Sequence, residues 1–218
     1  METNGEVIAI KKTREEKLAR FVSYLFHPLL MPTYGFLIIF FTDNYISVFT
    51  SLGLRLLILA ITFVFTFMFP FINAIILLKA GRIKSLSMED HTERYIPYAT
   101  TVLYYFALYY LFYSIEEIPS FFKVLVLGAG LSVLLTFIIN FKWKISAHTI
   151  GIGGIAGAML GTVYRLQMEL YLILMLIILI AGIVGYARLK LNAHTPPQIY
   201  TGFLLGFLVE FLLILFYR

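Results

Sequence analysis

The chain contains no cysteine and a single tryptophan in 218 residues, and only 13% of it is charged. Lack of cysteine excludes disulfides, thiolate nucleophiles, Cys-ligated zinc and iron–sulfur clusters together, and leaves the redox compartment unreadable. Scarcity of charge excludes more. Soluble domains carry about 25% charged residues, and 17 Lys+Arg with 12 Asp+Glu cannot coat a globule of this size. Hydrocarbon takes their place: 61% of the residues are hydrophobic and the mean hydropathy is +0.90. Most of the surface must therefore meet lipid, and the chain reads as an integral membrane protein rather than a solvated enzyme.

About 20 apolar residues cross 30 Å of hydrocarbon as a helix. Runs of about that length fall at 21–42, 56–78, 95–115, 124–141, 145–164, 170–187 and 199–217. Barrel strands would alternate over about 10 residues, whereas Leu56 to Leu78 and Leu170 to Ala187 are apolar on every face. The expected fold is all-α, a polytopic transmembrane bundle of six or seven helices. The number turns on the first run, where Pro28 and Pro32 interrupt the helix and residues 14–27 read as an interfacial amphipathic helix. Residues 1–20 form a polar, basic arm with five Lys/Arg and no cleavage-site pattern after it, so no removable signal peptide is expected. Residues 21–218 are expected to form one transmembrane domain, with neither repeats nor linkers.

Alternating spans sort the basic residues by side. Lys11, Lys12, Arg14, Lys17, Arg20, Lys79, Arg82, Lys84, Arg94, Lys142, Lys144, Arg188 and Lys190 share the face of the N-terminus, against Arg55, Lys123, Arg165 and Arg218 opposite. The positive-inside bias makes the first face cytoplasmic, in a bacterial inner membrane, although an anion site would enrich its own face in the same way. Loops near 79–97, 142–148 and 187–198 bring His91, His148 and His194 to that face with Lys, Arg and Ser beside them. Cationic donors, an attacking group and a proton donor are what phosphate transfer needs. A metal held by the three histidines with Asp90 and Glu93 is the rival. No His-x-x-x-His or Glu-x-x-His pair supports it, and the neighbouring Lys and Arg favour an anion over a dication. No cofactor is implied.

Ser146-Ala147-His148 before a small-residue helix, and Ala187-Arg188-x5-His194-x3-Gln198-x3-Gly202-x3-Gly206, resemble the second and third motifs of the type 2 phosphatidic acid phosphatase family. Those motifs read Ser-Gly-His and Ser-Arg-x5-His-x3-Asp. The first motif, Lys-x6-Arg-Pro, is echoed by Lys84-x9-Arg94-x2-Pro97, three residues longer and with the proline displaced. The resemblance covers roughly residues 79–210. It implies that His194 is a nucleophile forming a phosphohistidine and that His148 is the acid protonating the departing alcohol. Arg188, Arg94 and Lys84 would hold the phosphate with the Ser146 hydroxyl. Gln198 stands where the family has Asp; it can orient the nucleophile but cannot stabilise an imidazolium by charge. Three consequences are open: a slower enzyme, an Asp90 or Glu93 that takes the role, or phosphate binding without turnover.

Other features read as architecture. Gly153, Gly157 and Gly161, with Gly154 and Ala158, suit close helix packing. His27, between Phe26 and Pro28, reads as an interfacial or capping residue, and the 21 Phe and 15 Tyr suit lipid and the interfacial belts. Glu210 differs, because a carboxylate within a span costs several kcal/mol unless paired or protonated. It lies about 18 Å along the helix from Gln198 at 1.5 Å per residue, too far to share the phosphate site. An interhelical hydrogen bond and the polar wall of a lipid-headgroup cavity are its two readings. The functional expectation is a metal-independent lipid phosphatase acting on a phosphomonoester or pyrophosphate presented from the bilayer. Phosphatidic acid, phosphatidylglycerol phosphate and isoprenyl pyrophosphates all suit it, and no nucleic-acid partner is implied. The alternative is a non-catalytic transporter or anionic-lipid-binding protein that keeps the pocket.

Overall fold

A computed structural model describes residues 13–42, 45–88, 90 and 92–217. Lys11, Lys12, His91 and Arg218, invoked above, lie outside the described residues, as does most of the N-terminal arm. The described residues are all-α: α1 Arg14–Leu25, α2 Met31–Phe41, α3 Tyr45–Phe49, α4 Leu52–Phe63, α5 Phe69–Lys79, α6 Tyr95–Ser114, α7 Ser120–Asn140, α8 Ala147–Leu166, α9 Tyr171–Lys190 and α10 Pro196–Phe216. One π-helical turn, Val64–Met68, joins α4 to α5 without a break, so the two act as one 28-residue span.

Six segments are long and apolar enough to cross a membrane: Arg14–Phe41, Leu52–Lys79, Ser120–Asn140, Ala147–Leu166, Tyr171–Lys190 and Pro196–Phe216. The chain is an integral membrane protein. α6 is 20 residues long, but its many tyrosines lower its hydropathy. Within the first segment α1 stops at Leu25, because Pro28 opens a short 3-10 turn and Pro32 enters the first turn of α2. Thr13 and Glu16 cap α1 reciprocally. Leu18, Phe21 and Leu25 leave an apolar stripe exposed at helical spacing beside Arg14, Lys17 and Arg20. That pattern suits an interfacial helix.

Glycine sets the centre of the bundle. α8 and α10 run side by side from the same end, and a Cβ at Gly206 would overlap the Ile150 carbonyl oxygen. Added Cβ atoms at Gly153 and Gly157 would overlap the carbonyls of Phe203 and Phe207, and one at Gly202 would sit 2.9 Å from the Ser146 carbonyl oxygen. The small-residue pattern of α8 therefore serves backbone approach, as its spacing predicts, and Gly202 and Gly206 of α10 serve the same contact. This contact fixes the starts of α8 and α10 next to each other, with the Ser146 N–H donating to the Gln198 carbonyl at 3.4 Å.

Candidate active site

Three loops on one end of the bundle place the candidate residues. α9 ends at Lys190, Asn192 adopts φ 50°, which asparagine tolerates, and the N–H groups of Asn192 and Ala193 turn back to the carbonyls of Leu189 and Arg188. Pro196 then starts α10 at once. The Arg188-x5-His194 spacing thus spans one tight corner, with both residues on the wall of the same cavity. Arg94 arrives from the 79–94 loop, 8% exposed, its Nε donating to the Met88 carbonyl at 2.9 Å. His148 comes from the first turn of α8.

His194 is buried, and its Nδ1 lies 3.2 Å from Gln198 Oε1. The same oxygen accepts the Thr195 backbone N–H at 3.1 Å, which identifies it as the amide oxygen, since an N–H only donates. Nδ1 therefore carries the proton, and Nε2 carries the lone pair. Burial, then the positive charges of Arg94 and Arg188, push the His194 pKa down to about 3 against the weaker opposing pull of the Gln198 hydrogen bond. The ring is neutral across the physiological range.

Ser23 of α1 was not visible as a site residue in the sequence. Its carbonyl lies 3.1 Å from His148 Nε2, and its Oγ accepts Arg188 Nη1 at 3.1 Å while donating to the Ala19 carbonyl at 2.9 Å. A carbonyl only accepts, so His148 Nε2 carries a proton. Arg188 Nε is buried without a hydrogen-bond partner among the described residues. The guanidinium is thus held by one corner, and its Nε–H, buried with no acceptor against it, is left for an anion to satisfy. An ion pair between Glu15 and Lys190 ties the far end of α1 to α9. The only advance signal was the amphipathic pattern of α1; nothing local marks a contact across 165 residues.

Other assignments divide. Ser146 is fully buried and its Oγ has no hydrogen-bond partner among the described residues. Lys84 is exposed and does not line the cavity, so it is not brought together with Arg94 and Arg188. Asp90 Oδ1 accepts the Thr92 N–H at 2.9 Å, capping its own loop, and the group against His194 Nδ1 is Gln198. Among the described residues no three His, Asp or Glu side chains gather as a metal site. His27 caps the turn at Pro28 through Nδ1, as its position suggested, but its ring also packs 5.8 Å from that of His148 and lines the cavity. Tyr98, also unforeseen, lines the cavity near Arg188.

The arrangement can hold a doubly charged oxyanion between two guanidiniums, next to a neutral imidazole with a fixed tautomer. Compared with known families, residues 139–218 match the PAP2 superfamily. The match takes in Ser146, His148, Arg188, His194 and Gln198 and stops short of Lys84 and Arg94. It supports a type 2 phosphatidic acid phosphatase-like family and a phosphatase-type function in general. No curated protein and no solved structure matches the chain.

Proposed function

Starting from a type 2 phosphatidic acid phosphatase-like family, we propose that the chain hydrolyses a lipid phosphomonoester or lipid pyrophosphate, without metal, through a phosphohistidine on His194. The observation that carries this reading is the Nδ1–H bond from His194 to Gln198, which leaves Nε2 as a neutral, desolvated nucleophile beside Arg94 and Arg188. Nε2 attacks phosphorus, and the bond from phosphorus to the leaving oxygen breaks. His148 takes up a second proton, on Nδ1, together with the anionic substrate; the leaving oxygen takes that proton, while Nε2–H stays on the Ser23 carbonyl. Water then attacks the phosphohistidine, giving its proton to His148; the P–N bond breaks and both rings return to their starting states.

Arg188 grips two phosphate oxygens through its Nε edge and Arg94 neutralises a third. Ser146, fully buried and outside the cavity wall, lies one residue behind Ala147, and the first-turn amides of α8 add their dipole. Purified protein should release phosphate from at least one of phosphatidic acid, phosphatidylglycerol phosphate and an isoprenyl pyrophosphate, survive EDTA, and be blocked by vanadate, a mimic of the five-coordinate transition state. Loss with chelator and restoration by zinc or magnesium would replace this mechanism by a metal-dependent one. Gln198 in place of a carboxylate favours the second reading, a pocket that binds lipid phosphate without turnover; saturable binding without release from the whole panel would establish it.

On the positive-inside bias the site faces the cytoplasm of a bacterial inner membrane. The chain has no native cysteine, so single cysteines in the 79–94 loop and near Arg55 give a clean test with an impermeant thiol reagent. Labelling of the first from outside intact cells would reverse the orientation.

A further inference from the structure

The cavity does not end at the cationic mouth. Its wall, enclosing about 250 Å³, continues past Met31, Phe36 and Ile155 to Glu210 of α10 and Ser132 of α7. Both floor residues are 5% exposed, and Glu210 Oε2 and Ser132 Oγ have no hydrogen-bond partner among the described residues. The Glu210 carboxyl lies against α7 at Gly128, where a Cβ would fall 2.6 Å from its carbon. Glycine there makes the room the carboxyl occupies. Glu210 also borders Gly154, eight residues along α8 from Ser146, which sets the floor about 12 Å from the mouth at 1.5 Å per residue.

Between the two ends the wall is largely hydrocarbon, which suits an alkyl chain. A plain chain reaching the floor would expel water and leave two buried polar atoms unpaired, an arrangement that apolar contact cannot repair. We propose that the floor is a second binding subsite, taking a hydroxyl on the hydrocarbon chain of an amphiphile whose phosphate lies between Arg94 and Arg188. This rests on the phosphate reading of the mouth. A hydroxyl is singled out because it donates to a Glu210 oxygen and accepts from the Ser132 hydroxyl at once, whatever the protonation of the carboxyl. An ammonium cannot accept from Ser132, and a carbonyl satisfies the pair only when Glu210 is protonated, whereas a hydroxyl serves either form.

The test uses the full chain in nanodiscs and equilibrium binding of n-alkyl phosphonates, which resist hydrolysis, in a series of increasing length with and without a terminal hydroxyl. Short members should bind alike. At the length that spans the cavity the hydroxylated member should bind at least about tenfold more tightly. Glu210→Leu should reverse that preference, and Glu210→Gln, whose amide still donates and accepts, should keep it. Equal binding at every length, or tighter binding of a terminal ammonium, overturns the subsite while leaving the mouth intact. Failure of even the shortest phosphonates to bind removes the phosphate reading and the subsite with it.

Discussion

The mouth and the floor of the cavity contrast in how their polar groups are held. At the mouth two hydrogen-bonded sets hold the polar groups at 3.1–3.2 Å: Ser23 of α1 with His148 of α8 and Arg188 of α9, and His194 of the α9–α10 corner with Gln198 of α10. The atoms left over, Arg188 Nε and the Ser146 hydroxyl, are few. At the floor, Glu210 Oε2 and Ser132 Oγ have no hydrogen-bond partner among the described residues. A networked site is organised before its ligand arrives, so changes there should act on the reaction. A floor with such unpartnered atoms is completed by what enters, so changes there should act on which chain is accepted.

The largest effect is expected at the mouth. His194→Ala should lower kcat by at least about a thousandfold, since no other group can form the P–N bond, with an unchanged elution profile showing that the bundle still assembles. Substantial activity in that variant would mean that the network holds something other than a nucleophile. Arg188→Lys should cost at least about tenfold in kcat/KM, on the order of 1.4 kcal/mol, because a point charge cannot reproduce the planar grip through Nε. A smaller loss would indicate that Arg94 alone supplies the field.

Gln198→Asp sharpens the contrast in the other direction. A carboxylate beside His194 Nδ1 should stabilise the charge that develops on the ring, and raise the phosphorylation rate several-fold where that step is limiting. No change in single-turnover kinetics would show that tautomer control alone suffices. Ser23→Ala removes the hydroxyl under Arg188 but keeps the carbonyl under His148. KM should rise a few-fold with little change in kcat, and Ser23→Thr should restore it. A fall in kcat instead would place Ser23 in the proton-transfer path.

These expectations also show how far the residues themselves announced the structure. Span counting brought His148, Arg188 and His194 to one face, and the Arg188-x5-His194-x3-Gln198 spacing already contained the corner that brings them to one cavity. Gly153, Gly157 and Gly161 announced close packing by their four-residue spacing, but not that α10, with Gly202 and Gly206, is the partner. Ser23 was illegible because its partners are 125 and 165 residues away. Lys84 stands exposed, in a loop longer than the motif it echoes. Helix rise placed Glu210 deep within its span, about 18 Å along α10 from Gln198. What arithmetic along one axis missed is that the same cavity extends to it.

Smallest in amplitude but most specific is the titration of His194. With its pKa pushed down to about 3, its ring carbon shifts should stay those of a neutral imidazole from pH 8 to pH 5 in a histidine-labelled sample. An unfolded chain takes up that proton near 6.5, so this residue should make the fold less stable as pH falls from 6.5 towards 3, and contribute nothing above. A midpoint near 6.5 in the folded protein would place His194 in water, outside the network.

The central claim is that His194 forms a covalent bond to phosphorus. Wild-type protein mixed with a lipid phosphate labelled at phosphorus, and quenched within the first turnover, should carry one acid-labile, base-stable phosphoryl group that peptide mapping assigns to His194. Burst release of labelled inorganic phosphate with no label on the protein at any quench time would contradict it.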